Sequence, residues 1–197
     1  MNRLESIYVS TCLGNRFYPA APSIDDVAVE DIAQGLAYQC RFNGQTQAFY
    51  SVAQHSLIVA SLVPVHLRLA ALLHDAAEAY LGDMVKPLKH FFPTFSVIEN
   101  KVMAIIGERF AVTDFDTPEI KRADLIALAT EKRDLMPNST EPWPSIKGLE
   151  PMTSRIVPME PQKAKALFLE TYLQLGAQRS TVTQLEPSRL QPQSLTV

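Results

Sequence analysis

A short tract of ionisable residues follows an apolar run in the middle of the chain, and it constrains the fold more than any other feature. Residues 67–73 are apolar at every position but one, which predicts a helix that is buried on most of its sides. His74, Asp75 and Glu78 come directly after this run. Ionised groups in such a place need partners, because desolvation costs several kcal/mol per charge. The partner would be a divalent metal ion or an Arg or Lys side chain.

The spacing within the tract predicts that its polar side chains converge. Residues three and four apart share one face of a helix, so Glu78 is expected on the face of both His74 and Asp75. Gly82 is the kind of residue that ends a helix. Asp83 would then begin a turn close to the same end. A neighbouring His and Asp cannot complete a metal shell, so other segments must supply further ligands.

Two other helices offer candidate ligands. Ser51, followed three residues later by Gln54, is a capping box that predicts a helix start and puts His55 just after the first turn. Thr117 followed by proline predicts another helix start. Asp124 lies among apolar residues in that helix, so its carboxylate also needs a buried partner.

Plainer interpretations exist for each of these residues taken alone. A single His on an apolar face is usually a core residue with its hydrogen bonds satisfied. Asp75 could pair with Arg68 or Lys86, and Asp124 could pair with Lys121 or Arg122 at a solvated edge. His66 and His90 lie outside the pattern and are not counted as ligands.

Taken in order, His55, the His74-Asp75 pair and Asp124 give the pattern H…HD…D on helices. From about Cys40 to about Asp134 the chain resembles the HD-domain metal-dependent phosphohydrolase superfamily. The acids three and eight residues after Asp75 make it most similar to the bacterial 5'-deoxynucleotidase branch. The resemblance implies one divalent metal ion, held by His55, His74, Asp75 and Asp124. It also implies that Glu78 and Asp83 are the catalytic pair, and that the protein is all-α.

A shell of two His and two Asp suits Mn, Fe, Co, Ni or Zn better than Ca or Mg. Burial beside other carboxylates would raise the pKa of Glu78 and fit it for acid–base work. The candidate phosphate ligand is Arg41, which lies fourteen residues before His55. Members of the nucleotidase branch, which the chain resembles, similarly have an Arg followed by an aromatic residue just upstream of the first His. Phe42 could cover a base or sugar, and Lys86 and Lys89 could reach phosphates. The alternatives are a surface position for Arg41, plain core for Phe42 and a solvated face for the lysines.

The expected function is hydrolysis of the 5'-phosphate of (deoxy)nucleoside monophosphates by a metal-activated water. The alternatives are a deoxynucleoside triphosphate triphosphohydrolase and a catalytically silent HD-fold module that binds nucleotides. A phosphodiesterase is less favoured, because its two-metal shell usually needs further histidines. A homodimer is common in the branch that the chain resembles, so it is one expected form of assembly.

Composition excludes several classes of protein. The chain has 197 residues, is 47% hydrophobic and carries a net charge of −3, which predicts one domain with a full core and argues against a protein that coats nucleic acid. Two cysteines are too few for a disulfide scaffold. The N-terminus lacks an apolar signal core, and no run approaches eighteen apolar residues. The expectation is a soluble cytoplasmic protein without membrane partners.

The predicted fold is all-α, a single HD-domain helical bundle over residues 1–176 with at most a small β-hairpin. Asn43-Gly44 favours a tight turn and places that hairpin near residues 40–50. Ser96 with Glu99 predicts a further helix start, and residues 137–160 are expected to form a loop. Gly176 is expected to end the last helix, and residues 177–197 to form a mobile polar tail. The helices are expected near 29–38, 52–63, 65–81, 96–110, 118–136 and 161–175.

Overall fold

Helices dominate the computed structural model, which describes residues 6–137 and 141–185. The all-α class predicted from the sequence is confirmed. The α-helices in these residues are α1 (Val29–Tyr38), α2 (Val52–Ser61), α3 (Arg68–Leu72), α4 (Glu78–Leu81), α5 (Lys86–Lys89), α6 (Pro93–Phe110), α7 (Pro118–Leu135) and α8 (Pro161–Leu185).

A two-stranded antiparallel hairpin lies near the N-terminus. Strand β1 (Val9–Ser10) pairs with β2 (Arg16–Phe17), with Val9 opposite Phe17. The prediction of a hairpin at residues 40–50 is therefore wrong. The chain there forms a short 3-10 turn over Arg41–Gly44, and only a single bridge joins Cys40 to Ser51. Arg41 points inward to the buried Glu131 and the partly exposed Asp75, and Phe42 and Asn43 have positive φ, so the segment turns instead of extending.

The helix predicted over residues 65–81 is broken in the middle. Residues 73–77 form successive turns between α3 and α4. Some backbone N–H groups in and just after this segment bond to carbonyls three residues back, as Ala76 N does to Leu73 O and Glu78 N to Asp75 O, both at 3.0 Å. This tighter winding places about three residues in each turn instead of 3.6. Asp75 and Glu78, which are three residues apart, therefore lie on one face of this segment. The prediction of a continuous α-helix through His74 is wrong.

Two of the predicted helix starts are confirmed and one is wrong. The Ser51 side chain accepts a hydrogen bond from Gln54 N at 3.1 Å and caps α2. Thr117 caps α7 in the same way. Helix α6 begins at Pro93 and not at Ser96. The proline explains the difference, because its fixed φ suits the first helical position.

The last helix is longer than predicted. Helix α8 continues through Gly176 to Leu185, so the predicted helix end and the start of the tail at residue 177 are wrong. Glycine lowers helix propensity by about 1 kcal/mol but does not forbid a helix. The rest of the predicted tail, residues 186–197, lies outside the described residues.

The core forms where α1, α2, α3 and α8 meet. Helix α1 packs on α8, α4 and α2, and α2 packs on α3, α7 and α8. A Cβ at Gly35 would lie only 2.7 Å from the carbonyl oxygen of Ala79. Glycine on α1 therefore allows α4 to approach closely, which fixes the position of Glu78 at the start of α4. Large side chains with almost no exposed surface fill this core: Ile32, Leu36, Leu72, Ile106 and Phe168.

The predicted loop at 137–160 contains one short 3-10 turn, Pro144–Ile146, among its described residues; residues 138–140 lie outside them. The end of the loop passes over α2. Gln54 Nε2 donates to the carbonyl of Val157 at 2.8 Å, and Met159 N donates to Gln54 Oε1 at 3.0 Å. The loop thus fixes the helix that carries His55. None of the described helices is both long and apolar enough to cross a bilayer.

Candidate metal centre

Helix α2 carries His55 into the interior, where its side chain has no exposed surface. Its Nδ1 lies 2.7 Å from Glu131 Oε1. Since an ionised carboxylate can only accept, Nδ1 carries the proton and donates it. The other ring nitrogen, Nε2, faces away from Glu131, and it offers a lone pair to a cation when it carries no proton.

The turn at residues 73–77 positions His74 in a similar way. Its Nδ1 donates to the carbonyl oxygen of Ala71 at 2.7 Å, because a carbonyl can only accept. Nε2 of His74 therefore also presents a lone pair. The two imidazole rings have their centroids 5.3 Å apart, so both nitrogens serve the same small volume.

Asp124 on α7 completes a group of three. Its Oδ1 lies 3.3 Å from His55 Nε2. One ligand atom from each of His55, His74 and Asp124 lies within 4.8 Å of the other two. Side chains this close together could converge on one ion at bond lengths of about 2.0–2.2 Å. These three residues could therefore hold a metal ion.

Both Nε2 atoms are buried and form no hydrogen bond of acceptable geometry within the part of the chain that the structure describes. Buried polar atoms without partners are rare, and each one calls for a reason. Two such nitrogens beside a carboxylate are the donor set of a transition-metal site. The residues present thus fit a divalent ion.

Asp75, the fourth ligand implied by the resemblance, lies at the edge of this group. Its Oδ2 is 3.3 Å from His74 Nε2 and 3.6 Å from His55 Nε2. The same oxygen is 3.5 Å from Arg41 Nη1. The partner of Asp75 is therefore Arg41, and not the Arg68 or Lys86 of the plainer interpretation.

Glu131 is the residue of this centre that the sequence analysis missed. It lies on α7, its side chain has no exposed surface, and it accepts from three groups: His55 Nδ1, Tyr50 Oη at 2.9 Å and Arg41 Nη2 at 3.3 Å. Its position seven residues after Asp124 puts both on one face, two turns apart. This spacing is the sequence signal that could have identified Glu131. The Glu-Lys-Arg sequence at residues 131–133, however, is typical of a solvent-exposed surface.

The Arg41 side chain is largely buried, so its interpretation as a surface residue is wrong. Only 12% of its side chain is exposed, and its guanidinium bridges Asp75 and Glu131. Phe42 lies beside it with φ of 54°, and its ring centroid is 5.8 Å from that of Trp143. The aromatic residue therefore packs against the 137–160 loop.

An acidic cavity of about 410 Å³ opens beside the centre. Its lining includes His74, Asp75, Glu78 and Asp124. Lys89 lines it too, with Nζ 2.7 Å from Glu99 Oε1 and 4.0 Å from Glu78 Oε1. Neither Arg41, Phe42 nor Lys86 belongs to this lining, and Lys86 is exposed on α5. The cation that faces the cavity is therefore Lys89. The full set of lining carboxylates is Asp75, Glu78, Glu99, Asp114, Asp116 and Asp124.

The acidic side chains of this site fall into two groups by the direction of their pKa shifts. Glu131 and Asp124, which contact His55, have lowered pKa values. Burial alone would raise the pKa of Glu131, but the charges of Arg41 and His55 lower it to about 2. Burial would likewise raise the pKa of Asp124, yet His55 holds it well below its usual range. Burial and the Arg41 charge oppose protonation of His55, but Glu131 and Asp124 outweigh them and raise its pKa to about 9. Any cation at Nε2 must therefore displace a proton at neutral pH.

The cavity side shows the opposite behaviour. Burial raises the pKa of Glu78 well above its usual value, and the charges of Asp75 and Asp83 raise it further. Asp83 does not belong to the cavity lining. Burial also raises its pKa, although Arg41 counteracts this. One oxygen of Glu78, Oε2, is buried without a hydrogen-bond partner in the described part of the chain. Glu78 is thus a carboxyl group that favours its protonated form.

No family model matches the chain. It is similar to "Uncharacterized protein YfdR" of Escherichia coli (strain K12), with 38% identity over 174 residues that cover 87% of this chain and 97% of YfdR. It is also similar to "Uncharacterized protein RCAP_rcc00048" of Rhodobacter capsulatus, with 41% identity over 120 residues, 56% of this chain and 61% of that protein. The chain therefore belongs to the family of YfdR.

Proposed function

We propose that this member of the YfdR family is a metal-dependent phosphohydrolase of the HD type, which hydrolyses the 5'-phosphate of (deoxy)nucleoside monophosphates. One observation carries the proposal. Two buried histidine nitrogens without a hydrogen bond converge with the Asp124 carboxylate, and His74 and Asp124 line a cavity that also contains Glu78, a carboxyl group with a raised pKa. A cation site next to a proton donor is what phosphate ester hydrolysis needs.

In this proposal His55, His74 and Asp124 hold the ion, and Asp75 supplies a fourth ligand. Manganese, cobalt, iron, nickel and zinc suit this mixed nitrogen and oxygen set. When bound, such an ion lowers the pKa of water and polarises a phosphoryl oxygen. The charge of the cavity supports the need for an ion. Six carboxylates and one lysine line it, so without a bound cation the wall would repel a phosphate dianion.

Glu78 and Asp83 supply the proton chemistry of the reaction. Glu78 lines the cavity, and its raised pKa favours the protonated carboxyl group. That proton can pass to the leaving ester oxygen, which makes Glu78 a general acid. Asp83 follows α4 at Gly82, whose φ of 90° turns the chain there. The turn keeps Asp83 near enough to raise the pKa of Glu78.

Arg41 acts from behind Asp75. Its guanidinium holds Asp75 and Glu131 simultaneously, which a lysine with a single charged nitrogen would not reproduce. Its contact with the phosphate, which the resemblance implies, requires the substrate to reach past Asp75. Lys89 is the second candidate phosphate ligand, because it already lines the cavity.

The position of Lys89 also favours a second candidate function, the hydrolysis of deoxynucleoside triphosphates. A longer phosphate chain needs a cation farther from the metal. Lys89 is held by Glu99 at 2.7 Å and lies 4.0 Å from Glu78, so it could accept the outer phosphates. The products separate the two functions: a monophosphatase releases phosphate, whereas a triphosphohydrolase releases tripolyphosphate.

The test is a panel of nucleoside mono-, di- and triphosphates assayed with Mn²⁺, Co²⁺ and Mg²⁺. Phosphate, pyrophosphate and tripolyphosphate are measured separately, with Glu78→Gln as the matched control for contaminating phosphatases. We expect phosphate release from deoxynucleoside monophosphates with Mn²⁺ or Co²⁺, and little with Mg²⁺. Metal binding without turnover of any nucleotide would instead support the catalytically silent module. Failure of the protein to bind any of these ions would overturn the proposal.

A further inference from the structure

Glu131 is the most deeply buried carboxylate of the centre, and it lies behind the proposed ligands without lining the cavity. Its side chain has no exposed surface. A carboxylate in such a place costs several kcal/mol unless nearly all of its hydrogen-bonding capacity is used. It is used here by three donors: His55 Nδ1, Tyr50 Oη and Arg41 Nη2.

The geometry divides these donors between the two oxygens. Oε1 accepts from His55 at 2.7 Å and from Tyr50 at 2.9 Å. Oε2 accepts from Arg41 at 3.3 Å, and the other terminal nitrogen of Arg41 is 3.5 Å from Asp75. One side chain on α7 is therefore linked to two of the proposed ligands, directly to His55 and through Arg41 to Asp75.

We infer that Glu131 is a positioning residue: it fixes the ring and the tautomer of His55 so that Nε2 faces the ion, and it holds Arg41 against Asp75. This inference rests on the proposed metal-dependent function. Without an acceptor at Nδ1, the imidazole proton can move to Nε2 and the ring can rotate, and both changes remove the lone pair from the site. Carboxylates in this position orient metal-bound histidines in many proteins, and their loss typically costs 10–100-fold in metal affinity.

A purely structural ion pair between Arg41 and Glu131 is the competing explanation. It predicts that removing Glu131 lowers the stability of the fold and leaves the affinity for metal unchanged. Thr130 offers a matched control for that case. It is the neighbouring residue on α7 and is also fully buried, and its Oγ1 donates to Ile126 O at 2.7 Å and accepts from Met152 N at 2.9 Å. Thr130→Val removes buried hydrogen bonds without touching His55.

The experiment titrates the metal-free full-length chain with Co²⁺ alone, and follows affinity by calorimetry and ligand geometry by the visible absorption of the bound ion. No substrate is used, so catalysis does not enter the result. Glu131→Gln keeps the shape of the side chain and is expected to weaken Co²⁺ binding about 10-fold and to change the spectrum, while Glu131→Ala weakens it about 100-fold. Tyr50→Phe, which leaves the carboxylate in place, should weaken binding less than Glu131→Gln.

The outcomes separate this inference from the function on which it rests. If the wild type does not bind Co²⁺, the proposed function fails and the inference fails with it. If the wild type binds Co²⁺ and Glu131→Gln binds it equally well with the same spectrum, only the inference is overturned. Loss of affinity in Glu131→Gln, together with unchanged affinity in a destabilised Thr130→Val, supports it. If Glu131→Ala does not fold, Glu131→Gln decides the question alone.

Discussion

Carboxylates on the two sides of the candidate metal centre have pKa values shifted in opposite directions. On the interior side, Glu131 is fully buried, and its charge is balanced by Arg41 and His55, which lower its pKa to about 2. On the cavity side, Glu78 is nearly as buried, and burial together with the charges of Asp75 and Asp83 raises its pKa against the opposing charges of Arg41 and Lys89. Burial is similar at the two sites, so the sign of the neighbouring charge decides the difference.

This contrast assigns different tasks to residues of the same type. Carboxylates with lowered pKa values remain ionised and suit the binding of a cation, as at Asp124. A carboxyl group with a raised pKa retains a proton and suits acid–base chemistry, as at Glu78. Environments that push the pKa values of nearby acids apart are typical of catalytic sites. Three predictions test this difference through turnover and metal content, and a fourth tests it through the stability of the fold.

The largest effect is expected on replacing a proposed ligand. His74→Ala removes one of the two Nε2 atoms proposed to bind the ion, so the protein should lose bound metal. Its activity should fall by more than about 100-fold, because loss of a residue that only supports a metal ligand already lowers metal affinity or activity by up to about 100-fold. Metal content after dialysis and phosphate release measure the two effects. His66→Ala, at an exposed histidine, is the control and should change neither. Full metal content in His74→Ala would remove His74 from the shell.

Glu78→Gln tests whether the carboxyl group on the cavity side takes part in turnover and not in metal binding. The amide keeps the shape of the side chain but cannot deliver a proton, so turnover should fall by about 10²-fold while metal remains bound. Asp83→Asn tests the second acid in the same way. Glu108→Gln, an exposed residue on α6, controls for the substitution itself. Near-normal turnover in Glu78→Gln with metal in place would exclude Glu78 as the proton donor.

A smaller effect is expected at Arg41, which lies between the two sides. Arg41→Lys keeps the charge but cannot hold Asp75 and Glu131 at once, so kcat/KM should fall by the equivalent of about 1–3 kcal/mol. Arg155→Lys is the matched control, because Arg155 pairs with Asp134 through a side chain that is 76% exposed. Exposed pairs contribute little, so this control should leave kcat/KM unchanged. Equal effects of the two variants would contradict a special role for Arg41.

Local signals in the sequence predicted most of the helices and the residues that meet at the metal centre. Ser51 and Thr117 carry their capping information in the side chain itself, so the starts of α2 and α7 could be predicted. His55, His74 and Asp124 were recognisable because ionisable residues rarely occur in apolar helical surroundings without a partner. The resemblance to the HD superfamily added the roles proposed for Glu78 and Asp83.

Tertiary packing determined what the sequence could not predict. The break at residues 73–77 contains no proline or glycine, so no local signal marked it. Glu131 is followed by Lys132 and Arg133, which suggests solvent, and its burial depends on α7 packing against α2. Arg41 was expected to face the substrate, but its partners Asp75 and Glu131 are 34 and 90 residues away in the sequence. Contacts over such separations leave no periodic pattern.

The smallest effect expected is a difference in stability between two otherwise identical substitutions in metal-free protein. For a carboxyl group whose pKa is raised by folding, stability is lost as pH rises from its ordinary value through the raised value. Glu78→Gln removes that loss. Its Tm should therefore equal that of the wild type near pH 4, where both side chains are uncharged, and exceed it increasingly toward pH 8. The gain should be about 2–4 °C for each kcal/mol in a domain of this size.

Glu131→Gln should give the opposite sign, because folding lowers the pKa of Glu131 to about 2. The stabilisation from this ionised carboxylate is present above its ordinary pKa of 4.5 and is lost as pH falls toward 2. Glu131→Gln should therefore lower Tm at pH 7, and the deficit should shrink below pH 4. Thermal unfolding of both variants in chelator measures the two trends, from pH 4 to pH 8 for Glu78→Gln and from pH 7 down to about pH 2.5 for Glu131→Gln. If both variants changed Tm in the same direction, burial and not the neighbouring charges would determine the pKa values of both carboxylates.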